Sequence, residues 1–275
     1  MSWLCLIIQK LDGKVYNLLD YDIRVLDYTL SSSNFVTTYE EVEGYDGAIP
    51  IRTNGKQRMS QANCFFMARD SYDYVLLRNE IFKIFASKEY FYLIDVREPG
   101  IRSYVRAQSF DPQQVISKAG MFQVTFESPR TYRESVGKTT DPFTFDSNLW
   151  QIGQGLIAED IKYTHNTTYF RIYNAGDVTI DPRSFPLKIT YKGISNNLSI
   201  KNTTTGDFWS YRESTASDSD VITLDGVRSY RTAIGSIFGK TNLGLITLKP
   251  GWNDFVLTGT ASTFEIKFDF RFYYL

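Results

Sequence analysis

The chain has 275 residues, 43% of them hydrophobic and 16% aromatic, which is enough for one large or two ordinary domains with sizeable cores. Its 30 basic residues are balanced by 31 acidic residues. Phosphate neutralisation requires a basic excess, so the composition argues against a nucleic-acid-binding protein. No apolar segment approaches the roughly 18 residues of a membrane-spanning helix, so membrane insertion is not expected.

The N-terminal apolar run is predicted to be a strand and not a signal peptide. It is short, follows no basic region and ends at Gln9 and Lys10. The two cysteines, Cys5 and Cys64, are too few for a disulfide scaffold, and both lie in apolar strand-like runs. We therefore expect two buried free thiols in a protein that is made and folded in the cytoplasm.

Strand patterns dominate the first part of the chain. They occur in WLCLIIQ, KVYNL and DIRVLDYTL, and again at 34–42 and 58–68. Between the last two segments, Gly44, Gly47, Pro50 and Asn54-Gly55 are residues typical of turns. This stretch is predicted to be an extended, exposed excursion from the domain.

One amphipathic helix is predicted from Asp70 to Phe85. Its apolar stripe recurs at steps of three and four residues and consists of Tyr74, Leu77, Ile81, Ile84 and Phe85. Asp70 or Ser71 is a candidate N-cap, because a short polar side chain can accept hydrogen bonds from the first free backbone amides. The helix is expected to pack on the surrounding sheet.

Three more strands are predicted at 90–96, 101–108 and 120–127, after which the sequence becomes polar. We predict a first domain at 1–134, a linker at 135–148 and a second domain at 149–275. The second domain shows short strands that are separated by turn residues, which is typical of a β-sandwich or jelly roll. Its last strand, at 264–272, alternates aromatic or aliphatic residues with charged ones, so one face is expected to be buried.

The fold class is therefore predicted as mainly β. The first domain is expected to be α+β, with one helix packed on a β-sandwich or split-barrel-like sheet, and the second to be a β-sandwich.

No catalytic, cofactor or metal site is predicted. The single histidine, His165, lies in a polar stretch without a serine or cysteine nucleophile motif, and the cysteines lack zinc-ligand spacing. Acidic clusters at 40–46 and 218–220 are interpreted as solvated loops. A Ca²⁺ site or a glycosidase carboxylate pair at these clusters is the open alternative.

Three aromatic residues are candidates for contact with a glycan. Trp209, Tyr211 and Trp252 lie in the second domain, and an exposed aromatic ring can stack on a sugar. Packing in the core or at a strand edge is the alternative for each of them.

The order of several short motifs resembles the family of siphophage distal tail proteins. The first domain contains Val42-Glu-Gly-Tyr-Asp-Gly47 and closes on Phe122-Gln-Val-Thr-Phe-Glu-Ser-Pro-Arg-Thr-Tyr132. The second contains Ile172-Tyr-Asn-Ala-Gly176 and Leu248-Lys-Pro-Gly-Trp-Asn253. The likeness spans nearly the whole chain, and it depends on the order of motifs that are individually short.

The resemblance implies a structural protein of the phage tail tip with no enzymatic activity and no cofactor. In this family the first domains assemble into a ring, usually a hexamer, which contacts the tail tube protein and the tape-measure protein on one side. The tail-associated fibre or lysin protein lies on the other side, and the second domain, galectin-like or similar to a carbohydrate-binding module, carries or braces receptor-binding proteins. The implied location is the virion.

The exposed excursion is the candidate assembly interface, because an extended segment can reach a neighbouring subunit and pair with its backbone. The residues predicted for this interface are Glu43, Gly44, Tyr45, Asp46, Gly47, Ile49, Ile51 and Lys56. A flexible loop that contacts no neighbour is the alternative.

Three functional hypotheses follow. The first is a tail-tip assembly protein, the second is a carbohydrate-binding or host-adhesion module that acts through the second domain, and the third is a cell-wall hydrolase. The hydrolase would need two carboxylates facing each other at roughly 5 to 10 Å across a groove.

Overall fold

The structure, a computed structural model, describes residues 4–44, 46–144, 149–156 and 161–275. Tyr45 and part of the predicted linker, 145–148, lie outside the described residues. The chain divides into two compact units, Met1–Glu134 with Leu275, and Ser135–Tyr274.

Unit 1 is an antiparallel sheet with one α-helix. Its elements are β1 (Leu6–Gln9), β2 (Val15–Asn17), β3 (Ile23–Leu30), β4 (Phe35–Glu40), β5 (Ile49–Gly55), β6 (Arg58–Met67), α1 (Ser71–Phe85), β7 (Phe91–Asp95), β8 (Ile101–Ala107), β9 (Gln113–Ile116) and β10 (Ala119–Ser128). The strands follow the order β2-β1-β7-β8-β10-β6-β3, and β9 pairs with β10. A further short strand, β11 (Arg133–Ser135), lies where the two units meet in sequence.

The helix is confirmed where the sequence predicts it. The Asp70 side chain accepts hydrogen bonds from the amides of Tyr72 and Asp73, which satisfies two of the free amides at the helix start. Tyr74, Ile81, Ile84 and Phe85 are buried, and Leu77 packs against the same core. The helix therefore closes over the sheet through the predicted stripe.

The core of unit 1 is strongly aromatic. The ring of Phe85 lies 5.6 Å from that of Phe122 and 6.1 Å from that of Phe126, while Tyr74 stacks on Phe66 at 5.2 Å. Tilted and edge-on aromatic pairs stabilise a core beyond the area that they bury. These contacts join the helix to β6 and β10.

Unit 2 is built around two long strands. Its elements are β12 (Thr164–His165), β13 (Tyr169–Asn174), β14 (Leu187–Asn202), β15 (Phe208–Ser210), β16 (Ser214–Thr215), β17 (Val221–Asp225), β18 (Arg228–Arg231), β19 (Gly235–Ser236), β20 (Gly251–Phe270) and β21 (Tyr273–Tyr274). The strand order is β12-β20-β14-β17-β18-β19; β13 also pairs with β20, and β15 and β16 pair with β14. The mainly β fold class is therefore confirmed.

The lengths of β14 and β20 differ from the short strands that the sequence predicts. Turn residues such as Gly193 and Asn197 typically end a strand, but the pairing with β20 continues through register shifts between Gly193 and Ser199. A β-bulge accommodates extra residues by bending a strand without ending it. The alternation over 264–272 is correct, with Ile266, Phe268, Phe270 and Phe272 buried.

The first residues of the predicted linker are packed within unit 2. Ser135 donates its backbone amide to the carbonyl of Phe272 at 2.9 Å. The Thr139 amide donates to the carbonyl of Phe270, and the Thr139 hydroxyl donates to that of Phe268. The polar side chains that suggested a linker are thus bonded to backbone groups of the last strands.

Both cysteines are buried and free, as predicted. Burial raises the pKa of the Cys64 thiol to about 12, and burial also raises the pKa of Cys5. Because the thiolate is the reactive form, we expect neither cysteine of the native protein to react with a thiol reagent at pH 8. Two thiols should react in denaturant. Rapid reaction of either thiol in the folded protein would contradict the buried positions of Cys5 and Cys64.

Candidate functional site

Strands β4 and β5 form a separate two-stranded hairpin, here called the arm, over residues 35–55. Its strands pair with each other, and neither joins another strand in the part of the chain that the structure describes. The register runs from Phe35 opposite Gly55 to Glu40 opposite Ile49, with a bulge after Thr38. The arm is therefore a projection from unit 1 and not a strand pair of its sheet.

The arm exposes large apolar side chains to solvent. Ile51 is 54% exposed, and the others that are exposed are Phe35, Val36, Tyr39, Val42 and Ile49. An isolated two-stranded hairpin is at best marginally stable in water, and contiguous exposed apolar residues are typical of an interaction surface. This combination of features favours a binding partner for the arm.

The base of the arm is attached to the segment after β10. Ser33 donates a hydrogen bond from its hydroxyl to the carbonyl of Thr131 at 3.3 Å, and Thr131 donates from its own hydroxyl to the carbonyl of Lys56 at 3.0 Å. The ring of Phe35 lies 6.4 Å from that of Tyr132. Gly55 fits here because a Cβ at this position would lie 2.3 Å from the Thr131 hydroxyl oxygen. These contacts fix the base of the arm to the segment after β10, while the turn at the other end is exposed to solvent.

The residues predicted as an assembly interface lie along the arm. Glu43, Gly44, Asp46 and Gly47 are exposed in its turn, Ile49 and Ile51 are exposed on β5, and Lys56 is exposed just beyond it. Tyr45 lies outside the described residues. The two glycines have positive φ angles of 83° and 101°, which the tight turn requires.

One detail of the predicted excursion is corrected. Pro50 and Asn54-Gly55 were expected to form turns, yet they lie within β5. Pro50 is opposite Tyr39 next to the bulge, and proline is tolerated in an edge strand where its missing amide interrupts no ladder bond. The turn-type residues of this stretch correctly predicted that it is exposed, but they did not predict that it pairs with β4.

Two of the three candidate glycan contacts are excluded by burial. Trp209 is 1% exposed and donates its indole N–H to the Ser229 hydroxyl at 3.2 Å. Tyr211 is fully buried, and its hydroxyl donates to Glu213 at 3.1 Å. A ring inside the core cannot stack on an external sugar. Both side chains are structural, so their prediction as glycan contacts is wrong.

The third candidate, Trp252, belongs to an aromatic and charged surface on β13 and β20, here called the platform. Its ring lies 4.9 Å from that of Tyr173, and the Arg171 guanidinium carbon lies 4.3 Å from its centre. Arg171 also pairs with Asp254 at 3.2 Å. Tyr169, on the same face of β13, is 73% exposed. Tyr169, Arg171 and Tyr173 were not among the residues predicted from the sequence, although their alternation along β13 signals a shared face.

The acidic clusters do not assemble a metal site among the described residues, where no group of three potential ligands occurs. Asp220 is buried against Arg231, and Asp218 accepts a hydrogen bond from Ser262 at 2.9 Å. His165 stacks on Phe170 at 4.5 Å, and burial lowers its pKa. These contacts are structural. No helix among the described residues is long and apolar enough to cross a membrane.

The chain as a whole has the fold of a known phage hub protein. Over 98% of this chain and 100% of the other, it is similar to the crystal structure of SPP1 Dit, described as a hub of the adsorption apparatus in phages that infect Gram-positive bacteria. The TM-score is 0.69 at 12% identity. Chains of the activated phage p2 baseplate with Ca and with Sr match at TM-scores of 0.45 and 0.44, each with 10% identity. They cover 99% and 98% of this chain, and 98% of the other chain in both cases.

Most of unit 1 is similar to a domain of a known family. Residues 11–128 match the model of the phage tail protein RIFT-related domain, and no curated protein matches the sequence significantly. Residues 11–128 are thus similar to a phage tail RIFT-related domain, and the fold of the chain is similar to that of SPP1 Dit. The resemblance to siphophage distal tail proteins is thereby confirmed.

The isolated position of the arm predicts that unit 1 folds without it. We expect replacement of residues 37–53 by Asn-Gly, which forms a tight hairpin turn between Val36 and Asn54, to leave the free energy of unfolding within about 1 kcal/mol. The change shortens a loop and removes no buried side chain. Denaturant unfolding followed by circular dichroism measures the difference. Loss of cooperative unfolding would show that the arm is part of the core.

Proposed function

We propose that the protein is a structural component of a bacteriophage tail tip or baseplate and forms a homo-oligomeric, hexameric ring. The ring joins the tail tube to the tip and to the host-adhesion proteins. The single observation that carries this proposal is the arm, whose apolar side chains and acidic turn project from a domain of a phage tail family. A ring requires head-to-tail contacts between unlike surfaces, which a projecting hairpin provides.

The partners follow from this role. Unit 1 forms the ring and contacts the tail tube and tape-measure proteins on one side and the tail-associated fibre or lysin protein on the other. Unit 2 carries or braces receptor-binding proteins, and the protein is part of the virion after synthesis in the host cytoplasm. The fold shared with SPP1 Dit supports this assignment, and nothing in it calls for catalysis.

Replacing apolar arm residues should dissociate the ring. The double substitution Ile49→Ser and Ile51→Ser removes two exposed side chains that contribute nothing to the core of unit 1, so folding should be retained. We expect the wild-type protein to reach six times its 31.7 kDa monomer mass in light scattering, with rings in negative-stain images, and the variant to remain at lower mass.

A matched control is available in unit 2. Val227 and Ile234 are also exposed, so the double substitution Val227→Ser and Ile234→Ser changes the surface similarly while leaving the arm intact. It should assemble like the wild type. A wild-type protein that stays monomeric at every concentration would contradict the ring, and equal assembly of all three proteins would contradict the arm as its interface.

The platform supports a second candidate function, carbohydrate binding through unit 2. Trp252, Tyr173 and exposed Tyr169 offer apolar ring surface, and Arg171 with Asp254 offers hydrogen-bonding groups beside it. Such a mixture of stacking and polar groups suits a sugar. The ring and the glycan site are compatible, since they use different units.

Trp252→Ala tests the platform directly. If the platform binds glycans, the wild type should bind a bacterial cell-wall glycan on an array. The Trp252→Ala variant should bind the same glycan roughly 10-fold more weakly, because the stacking surface is lost. Phe208→Ala, which removes another exposed ring of unit 2, should bind normally. Absence of glycan binding by the wild type at millimolar concentration, or equal binding by Trp252→Ala, would exclude this function for the platform.

A further inference from the structure

A small cavity lies in unit 1 where β6 begins and β10 ends, and we call it the arginine cavity. Six of its lining residues are polar or charged: Arg58, Ser60, Ser103, Ser128, Arg130 and Arg133. The space inside it that a water-sized particle can occupy is about 10 Å³. The cavity therefore has room for one ligand of about the size of a water molecule.

Arg58 is the unusual residue of this cavity. Only 7% of it is exposed, and its Nε donates to the carbonyl of Ser31 at 2.7 Å. Its Nη1 is buried without a hydrogen-bond partner among the described residues, as is Nε of Arg133. Buried arginines are ordinarily paired with an acid, because an unpaired buried charge is costly. Two of the residues that line the cavity thus each keep one buried guanidinium donor without a partner among the described residues.

The carboxylates nearby do not balance the arginines. Glu134 is shared, since one of its oxygens accepts from Arg102 at 2.6 Å and the other from Arg130 at 2.7 Å. Glu98 pairs with Arg133 at 2.5 Å. At the cavity itself, three guanidinium groups, those of Arg58, Arg130 and Arg133, therefore face two carboxylates. Burial and the positive charge of Arg133 both lower the pKa of Arg58, which reflects the same imbalance.

We propose that the arginine cavity is a binding site for a single monoatomic anion, of which chloride is the abundant example. The available donors are N–H groups of cations with serine hydroxyls beside them, and the volume suits one small particle. Water can accept the same hydrogen bonds but leaves the positive charge of Arg58 uncompensated. An anion accepts the bonds and offsets charge, so the electrostatics favour it.

The bound anion would also strengthen the base of the arm. Arg130 and Arg133 flank Thr131 and Tyr132, the residues that hold Ser33, Lys56 and Phe35 at that base. An anion held between Arg58 and this segment fastens it to the start of β6. The inference concerns the folded monomer and stands independently of ring formation.

Anion-dependent stability of the intact protein tests the proposal. The melting temperature should be several degrees higher in sodium chloride than in sodium gluconate of the same ionic strength, and it should saturate with chloride, because a ligand that binds only the folded state stabilises it. Arg58→Met should abolish the difference between the two salts. Arg97→Met, which alters an exposed arginine of the same unit, should retain it.

Bromide gives a direct readout that does not depend on how the variants fold. Crystals of the wild-type protein grown in sodium bromide should show an anomalous scattering peak beside Nη1 of Arg58. A peak there with chloride-dependent melting supports the site. Equal melting in chloride and gluconate, with no bromide peak at Arg58, would overturn it and leave water as the occupant.

Discussion

The antiparallel pairing of β6 with β10 is the interaction on which unit 1 depends. All ten residues of β10, Ala119–Ser128, pair in uninterrupted register with Met67–Arg58 of β6. Both ends of this ladder have a further role. At one end β6 leads into the capped helix, and at the other end Arg58 follows directly on the arm and borders the arginine cavity. A one-residue slip would expose the core face of both strands, so the register is strongly specified.

This rigid ladder explains how a marginally stable hairpin projects in a defined direction. The arm contributes little to the core, yet its base is bonded to Thr131 and packed on Tyr132, just after β10 ends. Structural order is thus provided by the sheet, while the exposed apolar side chains remain available for a partner. A free monomer gains nothing from this arrangement, whereas the proposed ring of subunits would bury those side chains at each contact.

Much of the fold was readable from the sequence because it follows local patterns. The helix at 71–85 and the buried face of 264–272 were predicted from periodicity, and the exposed stretch after Val42 from its turn residues. Strand pairing was harder to predict from the sequence. Bulges keep β14 and β20 continuous through residues that normally end strands, and β5 forms although it contains Pro50. The burial of individual aromatic residues was the hardest feature to predict. The local sequence does not distinguish Trp209 and Tyr211, which are buried in the core, from Trp252, which lies on the platform, because only tertiary contacts decide this. Arg58 carried no sequence signal, because its unpaired state depends on which acids the fold brings near it.

Hydrogen–deuterium exchange of the arm amides, in separated monomer and oligomer fractions, shows whether the arm joins the subunits. The amides of β4 and β5 have few protecting contacts in the monomer and should exchange rapidly there. If the arm joins subunits, these amides should become strongly protected in the oligomer, while the β6–β10 ladder stays protected in both fractions. Rapid exchange of the arm amides in a closed ring would show that the subunits meet through another surface and that the arm is not the interface.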